Sequence, residues 1–190
     1  LEVFANNRYA AQSTPDFRRS TLEPFINDLV ANAAIMEDDP FRTLPDPKYY
    51  EGRSGTDLEL ADPDYGKMAP EDRHAMTKAV EEACLNKGGD KVISVEAGEY
   101  DESYEEYVKT SNGFEGSSKS TYYNMGASMT AQDEGDRKPA GYNYIGCRYR
   151  SDLPTMEEVG AEAARRTLDL MGGKKIATTK ITVILENRGA

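Results

Sequence analysis

The sequence predicts an α+β domain in which a mainly antiparallel sheet, formed by a meander and an amino-terminal hairpin, packs with about three helices. Three observations predict this class. Residues 121–131 alternate cleanly between two sets of side chains, as expected for a strand with one buried face. Three other segments repeat their apolar residues with helical spacing. The strand-like segments follow one another across short turn signals, which is typical of an antiparallel sheet with segregated helices.

A β-hairpin is predicted at the amino terminus. Leu1–Ala5 and Arg8–Ser13 have the pattern of short strands, and Asn6 and Asn7 separate them. Asparagine tolerates the positive φ that a tight hairpin turn requires, so the two segments are expected to pair.

The first helix is predicted from an apolar stripe that repeats at intervals of three and four residues. Its members are Leu22, Phe25, Ile26, Leu29, Val30 and Ala33. Ser20 and Glu23 have the spacing of a capping box, which places the start of the helix there. Pro24 is then expected in the first turn, where its missing N–H removes no helical hydrogen bond.

An irregular stretch is predicted from about Glu37 to Pro70, because turn-forming Asp, Pro and Gly residues interrupt every periodic pattern. We expect an ordered surface excursion held in place by its larger side chains. These anchors are Phe41, Leu44, Tyr49, Tyr50 and Leu58.

Two further helices are predicted. The second begins near Pro70 and ends at Gly88 and Gly89, since proline favours the first helical turn and glycine the carboxyl end. Its inner face consists of Met76, Ala79, Val80, Ala83 and Cys84. The third helix starts with a capping box formed by Thr155 and Glu158. Its inner face consists of Met156, Val159, Gly160, Ala163, Thr167, Leu170 and Met171, and Gly172 with Gly173 ends it.

Between these helices the sequence predicts four strands in an antiparallel meander. They are Val92–Tyr100, Tyr104–Ser111, Thr121–Ala131 and about Gly141–Arg150. Ser111, Asn112 and Gly113 form the predicted structural turn, since Asn-Gly is a strong hairpin signal. A last strand is predicted at Lys180–Glu186, where apolar residues are concentrated.

The balance of charges restricts the partners. The chain has 23 basic and 34 acidic residues and a formal net charge of −11. A field of this sign repels phosphate backbones and anionic lipid headgroups, so we expect no direct contact with nucleic acid or membrane. No apolar run reaches the ~20 residues that cross a bilayer, and no charged-then-apolar leader is seen, so we expect a cytoplasmic protein.

No catalytic or metal-binding set is predicted in this chain. His74 is the single histidine, whereas hydrolytic zinc sites use two or three clustered imidazoles. His74 also lies opposite the apolar face of its helix, so we expect it to be exposed. Cys84 lies on that apolar face and is interpreted as a small buried side chain.

Acidic residues crowd the first two central strands. They are Glu96, Glu99, Asp101, Glu102, Glu105 and Glu106. A calcium or peptide-amine site is one interpretation of this group. A solvated strand face and turn is the other, and we favour it because runs of charge usually face solvent.

The tyrosines indicate a contact surface. The chain has 12 tyrosines and no tryptophan, and Tyr122, Tyr142 and Tyr144 fall on or beside the predicted sheet. Tyrosine combines contact area with a polar tip, which suits recognition of a peptide or a partner chain. Ordinary sheet packing is the alternative, because tyrosine also favours strands.

Four stretches of the chain carry a family resemblance. They are NRYA at 7–10 with Ser13 and Thr14, LPDPKYY at 44–50, TSNGFEG at 110–116, and EVG-x-EAA at 158–164 leading through GGKKI at 172–176 to Lys180 and VIL at 183–185. Their order and spacing resemble the amino-terminal domain of the TldD/PmbA family, on its PmbA (TldE) side. The stretch at 110–116 is the most specific, and the match runs across nearly all of the chain.

The resemblance implies a larger parent protein, in which residues 1–190 form the amino-terminal domain. The chain starts without Met and stops after an apolar run, so we expect a fragment whose carboxy-terminal domain is absent. In the TldD-like branch that later domain carries a His-Glu-x-x-x-His metal motif, which the PmbA-like branch generally lacks. The resemblance thus implies no cofactor in this chain, and zinc in a TldD-like partner or in the absent domain.

The implied function is that of a non-catalytic, structural and substrate-gating domain. Its parent would be a PmbA/TldE-like subunit of a zinc metallopeptidase that acts on peptides or unfolded small proteins, in a family also labelled modulator of DNA gyrase. The implied partners are a TldD-like subunit or a second copy, as a dimer, and a peptide or unfolded protein substrate. The alternative is a stand-alone protein-interaction or scaffold module without a peptidase role, and the sequence leaves the parent's own enzyme activity open.

Overall fold

The computed structural model describes residues 1–53, 55–185 and 187. The chain divides into two compact units, the first made of residues 1–57 and 106–118 and the second of residues 58–105 and 119–190. The described residues form two antiparallel sheets and three α-helices, which confirms the predicted α+β class. No helix in this part of the chain has the length and apolar character that crossing a membrane requires.

The predicted amino-terminal hairpin is present in the first unit. Strand β1 (Glu2–Ala5) pairs antiparallel with β2 (Arg8–Ala11), which ends earlier than predicted. Asn6 and Asn7 have φ values of 52° and 59°, and these positive angles match the right-handed twist of the flanking strands. The turn chemistry read from the sequence is therefore confirmed.

Helix α1 spans Arg19–Ile35 and contacts both strands of the hairpin. Leu29 and Ala33 are its buried side chains. Ile26 and Val30, which belong to the predicted stripe, are exposed. The buried face is thus narrower than the periodic pattern predicts.

The start of α1 differs from the prediction. Arg18 is the N-cap and no side chain caps it, so the capping box proposed at Ser20 is wrong. Asp16 lies upstream and accepts hydrogen bonds from the backbone N–H of Arg18 at 3.0 Å and from the hydroxyl of Thr21 at 2.9 Å. Because the helix begins one residue before Ser20, Pro24 lies inside it and not in its first turn.

The irregular stretch is confirmed. The described part of residues 36–69 contains two 3₁₀ turns, Pro47–Tyr49 and Tyr65–Lys67, and no α-helix or strand. The proposed anchors divide into two groups, since Leu44 and Tyr50 are half-buried whereas the others are exposed. The exposed ones are Phe41, Tyr49 and Leu58.

The larger sheet has three strands and not four. Its order is β3 (Val92–Lys109), β4 (Glu115–Ala131) and β5 (Ala140–Cys147), and β4 pairs antiparallel with β5. The segments predicted as Val92–Tyr100 and Tyr104–Ser111 are one continuous strand. The residues between them are Asp-Glu-Ser, without the Gly, Pro or Asn that a tight turn favours, and the chain stays extended.

Strand β4 supplies one side of the core in the second unit. Its odd-numbered positions from 121 to 131 are each at most 2% exposed, which confirms the predicted alternation. They are Thr121, Tyr123, Met125, Ala127, Met129 and Ala131. Val80, Cys84, Val159 and Ala163 from two helices complete this core.

These two helices pack closely against each other. They are α2 (Pro70–Gly88) and α3 (Met156–Leu168), and both starts agree with the prediction. A Cβ atom added at Gly160 would lie 2.9 Å from the Cβ of Ala83 and 2.9 Å from the backbone nitrogen of Cys84. The absence of a side chain at this position therefore sets the distance between the helices.

The capping box of α3 is confirmed. The Thr155 hydroxyl accepts a hydrogen bond from the Glu158 N–H at 3.2 Å, and the Glu158 carboxylate accepts one from the Thr155 N–H at 3.0 Å. Two donors at the helix start are satisfied in this way.

The last predicted strand is wrong for the described residues. Residues 180–185 have no regular structure, and Glu186 lies outside the described part of the chain. The side chains of Ile181, Val183, Ile184 and Leu185 are exposed. An apolar run becomes a strand only beside a pairing strand, and the described residues provide none here.

Candidate functional site

The three tyrosines predicted as contact residues lie on the sheet face opposite the core. Tyr122 has the outward parity of β4, and Tyr142 and Tyr144 flank the buried Asn143 on β5. All three are exposed, Tyr142 most of all at 65%. The ring centroids of Tyr142 and Tyr144 are 5.9 Å apart, within the range of favourable aromatic pairs. The structure thus brings them together on one surface.

Two glycines allow two of these rings to pack closely against the sheet. Gly126 lies opposite Tyr144, and a Cβ atom there would come within 2.7 Å of the Cγ atom of that ring. A Cβ atom at Gly146 would come within 2.8 Å of the Cζ atom of Tyr122. Each ring therefore covers backbone on the neighbouring strand, which limits its motion and pre-organises the face for contact.

The outer face of β3 adds further groups. Glu96, Tyr100 and Glu102 are exposed and alternate with half-buried residues, and the Tyr100 hydroxyl donates a hydrogen bond to Glu102 at 2.6 Å. A face of tyrosine rings, hydroxyl tips and carboxylates can stack on side chains and pair with polar groups of an extended chain.

The Ser111–Gly113 turn belongs to the first unit. Gly113 has a φ of 100°, a conformation that favours glycine. Asn112 accepts a hydrogen bond from the Tyr50 hydroxyl at 2.8 Å and donates one to the Pro45 carbonyl at 2.7 Å. The turn thus fastens the irregular segment, so two of the stretches that carry the family resemblance are in contact.

A second polar region lies on the inner side of β3. Asp101 is 6% exposed, and both its oxygens accept from Arg73 of α2, one of them from Nη2 at 3.1 Å. Arg73 also donates from Nη1 to the Met68 carbonyl at 3.0 Å. The guanidinium lowers the pKa of Asp101 to about 2. This ion pair was not predicted, because its two partners are distant in the sequence.

Glu99 occupies the preceding inward position of β3. Its Oε1 atom is buried and has no hydrogen-bond partner among the described residues. Burial and the neighbouring Asp101 raise the pKa of Glu99 to about 7. For these two residues the favoured interpretation, a solvated face, is wrong, and it holds for the exposed members of the acidic group. Glu99 and Asp101 follow Val95 and Ala97 at intervals of two residues, so all four lie on the same face of the strand. This spacing was the sequence signal that could have predicted their burial.

Asp62 lies at the centre of a separate group of hydrogen bonds in the second unit. Its carboxylate accepts hydrogen bonds from the backbone N–H groups of Asp64 at 2.8 Å and Arg150 at 3.0 Å, and from the Tyr123 hydroxyl at 3.0 Å. The bond from Arg150 is the main cause that lowers the pKa of Asp62. The Asp62 N–H donates to the Thr121 hydroxyl at 2.7 Å. One side chain thus joins three separate segments of the second unit.

The side chains considered as catalytic or metal-binding candidates do not form a common site among the described residues. His74 is exposed and Cys84 is buried, as predicted, and burial raises the pKa of the Cys84 thiol. In the residues that the structure describes, no group of three or more His, Cys, Asp or Glu side chains is placed to hold a metal ion.

Comparison with known proteins identifies relatives. A family model described as the PmbA/TldA metallopeptidase central domain matches residues 63–171. The whole chain aligns with the metalloprotease PmbA of Escherichia coli O157:H7 at 27% identity over 191 residues, which covers 41% of that protein. The prediction of an amino-terminal domain at 1–190 stays a prediction.

Two solved structures share the fold. A proposed modulator of DNA gyrase from Bacteroides thetaiotaomicron VPI-5482 has a TM-score of 0.85 and 34% identity, covering 92% of this chain and 40% of that one. Another, from Thermotoga maritima MSB8, has a TM-score of 0.72 and 19% identity, covering 93% and 38%, and shows the fold alone. The chain spans about two fifths of the length of these relatives.

Proposed function

The chain belongs to the TldD/PmbA family, and from this premise we propose that it is a non-catalytic, structural and substrate-gating region of a PmbA/TldE-like subunit. The subunit would belong to a zinc metallopeptidase that acts on peptides or unfolded small proteins. One observation carries the proposal: three exposed tyrosines, two of them packed over glycines, form one surface on a sheet whose other face is the core.

The sheet supports gating of extended chains in a second way. In the order β3-β4-β5, each outer strand has one edge that pairs with no other strand among the described residues. An extended peptide can pair its backbone with such an edge, whereas a folded protein cannot present a free strand there. Tyrosine rings beside that edge would contact the side chains of the peptide.

Zinc does not fit the residues that the structure describes. The described side chains offer no clustered ligand set, and His74 is exposed on α2 without a second imidazole. We therefore place the metal of the proposed peptidase in a TldD-like partner or in a carboxy-terminal domain, and the role of this region is to admit and orient the substrate.

The tyrosine face can be tested in the full-length protein together with its partner subunit. We expect the double substitution Tyr142→Ser and Tyr144→Ser to raise KM for an unfolded peptide about thirtyfold, since each of the two lost aromatic contacts costs ~1 kcal/mol. The bound metal should not change. The readout is a peptide-cleavage assay combined with metal analysis of the same sample.

Tyr49→Ser is the matched control, since Tyr49 is an exposed tyrosine of the first unit. It should leave KM unchanged. Equal cleavage by the double variant and the control would contradict a substrate contact at this face. If cleavage were equal but the double variant no longer bound its partner subunit, the interaction-module alternative would gain support.

A further inference from the structure

One cation and two carboxylates share the inner side of β3. Arg73 contacts both oxygens of Asp101, and Glu99 lies two residues earlier on the same side of the strand. The charge of Arg73 is therefore already balanced by Asp101. An ionised Glu99 would add a second negative charge to a region shielded from water.

The missing hydrogen-bond donor at Glu99 also favours the neutral form of this side chain. Its Oε1 atom is buried and receives no donor from the described residues. A buried carboxylate oxygen without a donor is costly, whereas a neutral carboxyl group carries its own O–H. Asp101 is the neighbouring acceptor for that hydrogen, and the interaction between the two carboxyl groups acts on both of their pKa values.

The groups that face this pair come from three other elements. Arg73 comes from α2, and the Tyr65 hydroxyl, from a 3₁₀ turn, hydrogen-bonds to Asp101. Tyr123 of β4 lies beside Tyr65, with ring centroids 5.8 Å apart, and its hydroxyl is taken by Asp62. Arg150 donates a hydrogen bond to Asp62 from its backbone N–H. Glu102, on β3 itself, has outward parity and is exposed.

We propose that Glu99 and Asp101 share one proton and form a pH-sensitive link between β3 and α2. Below neutral pH, Glu99 is a neutral acid that donates its O–H to Asp101, while Asp101 stays paired with Arg73. When the pH rises past neutrality, Glu99 loses the proton, the two carboxylates repel each other, and the packing of β3 against α2 is weakened. The second unit thereby responds to a proton in the physiological range.

The direction of the effect follows from linkage. The pKa of Glu99 is about 7 in the folded protein, above its usual value, so the folded state binds this proton more tightly than the unfolded state. The stabilisation is complete below the ordinary glutamate pKa and is lost as the pH rises through the folded pKa of about 7. Between pH 6 and pH 8 the equilibrium constant for folding should fall about tenfold on account of Glu99.

The test follows the amide exchange of β3 in the full-length protein and in its Glu99→Gln variant. Glutamine keeps the neutral shape, so the ratio of wild-type to variant protection should fall about tenfold from pH 6 to pH 8. Glu96→Gln, on the exposed face of the same strand, is the control and should show no such change. A constant ratio for Glu99→Gln would overturn the proposal.

Carboxyl titration gives a second readout that does not depend on unfolding. The infrared band of a neutral carboxylic acid should disappear on titration near pH 7 in the wild type and be absent at pH 6 in Glu99→Gln. In Asp101→Asn, Glu99 becomes the only carboxylate beside Arg73, and its titration should move to lower pH by at least one unit. Titration of wild-type Glu99 below pH 5 would also overturn the shared proton.

Discussion

Replacing Gly160 by valine is expected to destabilise the second unit by about 3 kcal/mol or more. The added Cβ would meet the Ala83 side chain and the backbone of Cys84 at 2.9 Å, both on α2. Backbone atoms of a helix cannot move aside as a flexible side chain can. The two helices would have to separate, and the buried contacts of Val80 and Val159 would be lost with them.

Thermal unfolding of matched glycine variants measures this effect. Gly160→Ala should cost less than valine, because the smaller clash is partly offset by the better helix propensity of alanine. Gly98→Val is the control, since a Cβ atom at Gly98 has no neighbour within 4 Å and valine favours strands. Equal melting temperatures for Gly160→Val and Gly98→Val would contradict the close approach of α2 and α3.

Replacing Asp62 by alanine is expected to cost about 3 kcal/mol. The substitution leaves the buried Tyr123 hydroxyl and the N–H groups of Asp64 and Arg150 without their acceptor. Each orphaned group in a shielded position costs about 1 kcal/mol. Asp62→Asn retains an acceptor oxygen and should cost roughly half as much.

Acid should weaken the same cluster. The pKa of Asp62 is lower in the folded protein than its usual value, so the stabilisation is present above the ordinary aspartate pKa and is lost as the pH falls through the folded pKa. The free energy of unfolding of the wild type should therefore approach that of Asp62→Ala in acid. Asp64→Ala, which removes a largely exposed carboxylate, is the control and should cost less than 0.5 kcal/mol. A difference between wild type and Asp62→Ala that persists in acid would contradict this account.

Local signals predicted most of the elements. The alternation of β4, the Asn-Asn turn and the Thr155–Glu158 capping box each depend on residues close in sequence, and the structure confirms all three. The outward parity of Tyr122 follows from the same alternation. These features need no knowledge of what lies opposite in space.

What sequence reasoning missed depends on distant partners. Arg73 and Asp101 are 28 residues apart, so no spacing rule connects them or places Glu99 beside them. The capping box proposed for α1 failed because the helix begins at Arg19, before Ser20, and no side chain caps it. The strand predicted at 180–186 is wrong over its described residues, 180–185, because composition does not provide a pairing partner.

The tyrosine face was predictable only in part. Sequence placed three tyrosines on or beside a sheet, but the positions of Gly126 and Gly146 beneath the rings depend on the register between β4 and β5. Register depends on the hydrophobic pattern of both strands and on the geometry of the loop that connects them. The sequence alone therefore does not show which glycine lies opposite which tyrosine.

The alternation of β4 also restricts how this chain can change length during evolution. Deleting one residue between Thr121 and Ala131 would exchange the two faces of the strand beyond that point. Core methionines would then face outward, and the positions under the tyrosine rings would face the helices. Insertions and deletions should therefore accumulate in the loop between β4 and β5, at 132–139, and be rare within the strand itself.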